Sequence, residues 1–216
     1  MRMLFSFALI TTALTPLAAR AQEVENSISA SIESGRIFAD QGLVQYRGRT
    51  YTGEYEISYG DWYASAWHAH TEPRASRETD LCAGKTGNMA PRVEYDTNAC
   101  VFLLDGTEAY QLEFNVEYEI TDELTFAARA DVIRGGFETD VVYGGLAFTR
   151  GPFDVNGGVS GDSWSGDVVL QAGAGIALPL HLRAFVNGFS VLDEGDPTQS
   201  DDENAYVFGI GTNYTF

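Results

Sequence analysis

From Tyr110 to Thr121 the chain alternates without exception: Tyr110, Leu112, Phe114, Val116, Tyr118 and Ile120 are apolar, while Gln111, Glu113, Asn115, Glu117, Glu119 and Thr121 are polar. A repeat of two residues belongs to a β-strand with one apolar and one polar face, because successive side chains point to opposite sides. After Thr121-Asp122-Glu123 the alternation resumes through Leu124, Phe126, Ala128, Ala130 and Val132, with Arg129 and Asp131 on the polar side. The two runs read as a hairpin. A three-residue turn would set Ile120 opposite Leu124, Tyr118 opposite Phe126 and Asn115 opposite Arg129. Arg129 would then lie diagonal to Glu113 and Glu117, within reach of long side chains, so an ion-pair cluster is expected on the polar face.

Fainter strands are read at 26–34, 51–59, 62–70, 139–149, 153–161, 168–178, 182–190 and 205–216. The expected fold is all-β, a transmembrane antiparallel up-and-down β-barrel of about ten strands, with eight or twelve possible. Connection lengths support it: Gly60-Asp61, 121–123, Arg150-Gly151-Pro152 and 179–181 are tight turns, whereas 35–50, 71–108 and 191–204 are longer and polar. Short turns at one end and long loops at the other fit periplasmic and extracellular rims. A sheet in lipid must also close, since open edges would leave backbone groups unsatisfied. A secreted β-sandwich would show similar alternation. Strands of about 9 to 12 residues suit a bilayer crossing better, as do Tyr51, Tyr59, Tyr110, Tyr118, Tyr206 and Tyr214 near the ends of apolar faces.

The first residues read as an export signal: Arg2, an apolar run from Leu4 to Leu14, then Ala19-Arg20-Ala21 as a cleavage site. On this reading 1–21 is a signal peptide, and 22–216 is the barrel with a long extracellular loop at 71–108. Loss of Arg2 and Arg20, with no acid removed, takes the formal charge from −18 to −20. That acidity, with Lys85 the only lysine, argues against nucleic acid as a partner. Outside the signal no apolar run is long enough for a membrane helix, so a membrane role would need strands. Cys82 and Cys100, in an exported chain, are expected to form a disulfide closing a loop of about 18 residues. Two lone cysteines make a poor zinc site, and the acids of 192–204 do not follow an EF-hand order, so no metal and no cofactor is expected.

The export signal, the alternating strands of about ten residues, and a last strand with Tyr206, Phe208, Ile210, Tyr214 and Phe216 on one face together resemble bacterial outer-membrane β-barrel proteins. Thr212 is the one departure on that face. Among named families the pattern is similar to the small porins of proteobacteria. The resemblance implies a Gram-negative source, a place in the bacterial outer membrane, and contact with membrane lipid and lipopolysaccharide. It also implies that Tyr214 and Phe216 form the signal read by the barrel assembly machinery.

In a membrane barrel the apolar face meets lipid and the polar face lines the lumen. For the Gly60 turn two registers are open. Tyr59 opposite Tyr63 sends His68 inward opposite Glu54 and Trp67 outward beside Tyr55; the alternative puts His68 and His70 in lipid. The first is preferred because ionisable groups belong inside. Glu54, Glu56, His68, Glu113, Glu117, Glu119, Arg129 and Arg183 are therefore the expected lumen residues. They suggest a small porin passing small solutes with a preference for cations. A closed barrel acting as a structural or surface-binding protein through its loops is the alternative. A barrel enzyme acting on lipid or peptide ranks third, since no nucleophile with suitable partners is evident and no catalytic residue is expected.

Overall fold

The computed structural model describes residues 24–38, 43–72, 76–136, 138–163, 166, 168–193 and 204–216. The expected export signal at 1–21 and the stretch 194–203, which holds most of the acids of 192–204, lie outside the described residues. Twelve antiparallel strands, each paired with its neighbours in sequence, close into one barrel. They are β1 (Val24–Phe38), β2 (Leu43–Tyr59), β3 (Trp62–Glu72), β4 (Ser76–Ala90), β5 (Val93–Leu104), β6 (Thr107–Thr121), β7 (Leu124–Gly135), β8 (Thr139–Arg150), β9 (Phe153–Asp162), β10 (Val168–Leu178), β11 (Leu182–Asp193) and β12 (Asn204–Thr215).

The expected ten strands become twelve because 71–108 is not a long loop. It holds β4 and β5, turning at Pro91-Arg92 and again at Asp105-Gly106. Their lumen face carries Cys82, Gly84, Cys100, Phe102 and Leu104, and their outer face Arg77, Thr79, Lys85 and Thr97. With Glu78, Asp80 and Asn98 also inside and Leu81 and Leu103 also outside, both faces are mixed, and the alternation that marks β6 and β7 is lost. Asp105 and Gly106 both have positive φ, 48° and 88°, as a tight hairpin turn requires. The span 35–50 is likewise largely strand, as β1 and β2 extend into it.

Closure is made by β1 and β12, with Ile28 opposite Tyr214 and Ile32 opposite Ile210. Asn26 and Phe216 exchange backbone hydrogen bonds of 3.0 and 2.9 Å, so the last residue is paired. Around the outside runs a belt of exposed apolar side chains, among them Leu112 at 63%, Val142 at 64% and Phe208 at 60% exposure. Tyr59, Trp62, Phe153, Tyr214 and Phe216 mark its edge at the end carrying both termini, and Tyr51, Tyr110 and Tyr206 mark the other. Water cannot solvate such a belt favourably and lipid can.

Twelve strands about 4.8 Å apart and tilted by about 40° give a backbone radius of about 12 Å. The interior is therefore wider than ten strands would make it.

Candidate lumen site

Strand pairing fixes which side chains face the lumen. Glu113 of β6 lies between Asn98 of β5 and Asp131 of β7, and Asn115 lies opposite Arg129. Tyr118 also meets Phe126, as the hairpin pattern predicts. Thr121 rather than Ile120 faces Leu124, because an irregularity between Glu119 and Thr121 absorbs one residue at the turn. Glu113, Glu117, Glu119 and Arg129 all lie on the inner face.

Three side chains form the centre of this wall. Glu113 is 3% exposed, Arg129 6% and Asp131 1%. Arg129 Nε sits 3.0 Å from Asp131 Oδ2, so the ion pair runs along its own strand. Asn98 Nδ2 donates to Glu113 Oε1 at 3.1 Å. Asp80 lies on β4 four residues toward the far rim from Gly84, which shares the row of Asn98 and Glu113; it is opposite Phe102 of β5 and Trp67 of β3, with Glu78 nearer the rim. Tyr63 reaches across β4 to donate its hydroxyl to Asp96 Oδ1 at 2.7 Å. It can do so because Gly84 lies beneath it: a Cβ there would fall 2.5 Å from the phenol ring carbon.

The Gly60 turn corrects one expectation. Tyr59 pairs with Trp62, and Gly53 with His68, so His68 and His70 face outward while Ser65 and Trp67 face inward. Glu54 and Glu56 remain on the lumen face, opposite Trp67 and Ser65. The physical reason is position. His68 and His70 lie level with Gly53 and Tyr51, at the edge of the apolar belt, where the interface solvates polar rings. The expected place of His68 in the lumen opposite Glu54 is thus overturned, and the barrel wall separates the two.

Across the lumen, β9 to β12 present small and amide side chains. Asn156, Gly158, Gly173, Gly175, Asn187 and Gly209 all face inward. Arg183 is the cation of this wall: its Nε donates to Asp154 Oδ1 at 3.2 Å, and its Nη2 pairs with Asp154 Oδ2. The guanidinium also lies 5.8 Å from the Phe185 ring centroid. Glycines again serve as floors, since Phe185 lies flat on Gly209 and Tyr143 on Gly145 and Gly158. A cavity of about 580 Å³ opens here, at the end carrying the termini, lined by Ser29, Ser31, Glu33, Asp154, Arg183 and Phe185 among others.

The lumen is unequal along its axis and around it. Near the far rim the inward residues are buried: Thr50 and Ala69 are 0% exposed, Val141 1% and Val169 2%. Around it, acids from β1 to β9 face Arg129 and Arg183. Glu78 and Asp80 escape the sequence reading because their segment reads as loop; read as a strand, Ser76, Glu78 and Asp80 at spacing two would mark a polar inner face.

Cys82 and Cys100 are directly opposite each other on β4 and β5 and form a disulfide facing the lumen. With Phe102, Ala109 and Ile133 they make an apolar cluster inside an otherwise polar wall. Tyr214 and Phe216 face outward with their rings stacked, centroids 6.0 Å apart.

No protein-family model matches the chain, and no curated protein sequence matches it. Solved structures do. The KdgM porin superposes with a TM-score of 0.67 at 11% identity, covering 87% of this chain and 99% of its own. The NanC porin gives 0.59 at 10% identity, covering 88% and 98%. The Acinetobacter baumannii outer membrane protein Omp33 gives 0.54 at 10% identity, covering 91% and 100%. The chain thus has the fold of bacterial outer-membrane porin barrels, and its apolar belt suits lipid.

Proposed function

We propose that the barrel passes small solutes across the outer membrane and favours cations and neutral molecules over anions. The acidic lumen carries this reading. Glu54, Glu56, Glu78, Asp80, Glu113, Glu117 and Glu119 lie on inner faces, with Arg129 and Arg183 opposing them. Carboxylates held in a low-dielectric wall focus a negative potential into the aqueous path, raising the local cation concentration and repelling anions. The two arginines are partly neutralised by Asp131 and Asp154.

The fold relatives sharpen the contrast. KdgM has been seen in complex with oligogalacturonate, a chain of uronic acids. A lumen with this balance of charge would repel such a polyanion.

The buried inward residues near the far rim favour a second reading, a filled barrel working through its external surface. Twelve strands lie between barrels of eight, which side chains fill, and those of sixteen or more, which hold open channels. The enzyme reading loses ground because His68 and His70 are walled off from the lumenal carboxylates, leaving no imidazole base beside them. Tyr214 and Phe216, outward and stacked at the closing strand, suit recognition by the barrel assembly machinery.

Planar-bilayer recording of the refolded protein tests the proposal. Discrete conductance steps, with cation preference reduced in Glu113→Gln/Glu117→Gln, are expected. Silence at every voltage in a correctly folded sample would establish the filled barrel instead.

A further inference from the structure

Among the described side chains, cations lie on the outside of this barrel at both ends. At the rim bearing the termini, Arg92 and Arg150 lie 3.7 Å from Asp122 and Glu123, and Lys85 sits 5.5 Å over the Trp62 ring. At the opposite end, Arg134 is paired with Asp140 at 2.8 Å. Arg49 and Arg77 differ. They lie on the outer faces of β2 and β4, flanking β3, in a chain whose net charge is −18.

The pairing builds a compact patch. One row runs Tyr51, His70, Arg77; the row below it runs Gly53, His68, Thr79; the row above sets Arg49 beside Glu72. Three neighbouring strands span about 10 Å, a distance that long side chains close around one anionic group. Among the described residues no carboxylate pairs with the Arg77 guanidinium. Arg49 Nη1 donates to Tyr51 Oη at 3.3 Å, and Glu72, its partner across the strand pair, also attracts it. His70 Nδ1 is buried without a partner. His68 Nδ1 shares a hydrogen bond of 2.9 Å with Thr79 Oγ1. Two acids are near. Glu72 Oε1 lies 3.9 Å from His70 Nε2, and Asp105 is turned to the Arg77 backbone N–H and the Ser76 hydroxyl, at 2.7 and 2.8 Å.

We propose that Arg49, His68, His70 and Arg77 form an external binding site for the phosphate of a phosphorylated glycolipid headgroup, the chemistry that lipopolysaccharide presents in the outer leaflet. Guanidinium groups bind phosphate through paired N–H donors, and imidazoles add further donors at little desolvation cost. Position selects a lipid over a free anion. Directly beneath the patch the outer face turns apolar through Tyr55, Ile57, Ala66 and Leu81. An occupant with its anionic part on the arginines has its hydrocarbon part on that belt. The site depends on the membrane placement of the barrel and not on whether the lumen conducts.

Native mass spectrometry of the refolded full chain in zwitterionic detergent tests it, with a purified bisphosphorylated, acylated glucosamine disaccharide and its dephosphorylated form as probes. A one-to-one adduct with the phosphorylated lipid is expected, weaker by roughly tenfold for the dephosphorylated lipid and for Arg49→Ala/Arg77→Ala, and unchanged in Arg134→Ala. Equal binding of the two lipids by the native chain, or equal loss in Arg134→Ala, would overturn the site. Displacement of the glycolipid by an equal concentration of inorganic phosphate would overturn its assignment to a lipid.

Discussion

Phe185 lies on the lumen wall only because Gly209 offers no side chain beneath it. A Cβ at Gly209 would stand 2.3 Å from Phe185 Cζ, 2.7 Å from Cε2 and 2.9 Å from Cε1. Carbon atoms rest about 3.5 Å apart or more, so Gly209→Ala must lift the ring by about 1.2 Å toward the barrel axis. The three nearest atoms all belong to the Phe185 ring. The barrel should therefore fold at a cost of about 1–3 kcal/mol, the usual range for overpacking. In a lumen of free radius about 6 Å the lifted ring narrows the local cross-section by roughly a tenth. Single-channel conductance should fall by a similar fraction in Gly209→Ala. Phe185→Ala should abolish that fall: in a double-mutant cycle the Phe185→Ala barrel should conduct equally with and without the Gly209→Ala change. A conductance loss of equal size in both backgrounds would refute the reasoning, because the added methyl group would then act without the ring.

Other consequences follow from the same geometry. Replacing both Cys82 and Cys100 by Ser reopens a loop of about 18 residues and should lower stability by about 3 kcal/mol, read as an earlier urea midpoint; no shift would mean that the hydrogen-bonded strands alone hold β4 to β5. Asp154→Ala removes the carboxylate partner of Arg183 and should reduce cation preference, measured as the potassium-to-chloride permeability ratio, whereas Arg183→Ala should increase it. Deleting Phe216 removes both backbone hydrogen bonds to Asn26 and an outward ring. Less protein should reach the outer membrane, as judged by the heat-modifiable gel band, with selectivity unchanged in the fraction that does.

How much of this could be read from the sequence depended on whether a strand obeys the simple rule of lipid outside and polar residues inside. β6 and β7 obey it, so their faces and the Asn115–Arg129 pairing were legible residue by residue. β4 and β5 break it. The disulfide and Phe102 place an apolar cluster in the lumen, while Arg77 and Lys85 point outward, so the segment reads as a polar loop although Asp105-Gly106 is a strong hairpin signal. The Gly60 turn shows a different limit. One residue of register exchanges the two faces of a strand, and the rule that ionisable groups turn inward fails for His68 and His70, which lie at the interface and not in the hydrocarbon. Side chains resting on Gly84, Gly145, Gly158 and Gly209 were not legible at all. They depend on which strands become neighbours, and sequence spacing does not encode that.

If an acidic lumen makes this barrel a cation-favouring passage, the zero-current potential across a planar bilayer shows it most directly. With the refolded protein between a dilute and a concentrated potassium chloride solution, the reversal potential should be displaced toward the potassium equilibrium value, and the displacement should shrink when Glu113 and Glu117 are changed to Gln. Displacement toward the chloride value, or one unaffected by those changes, would contradict it.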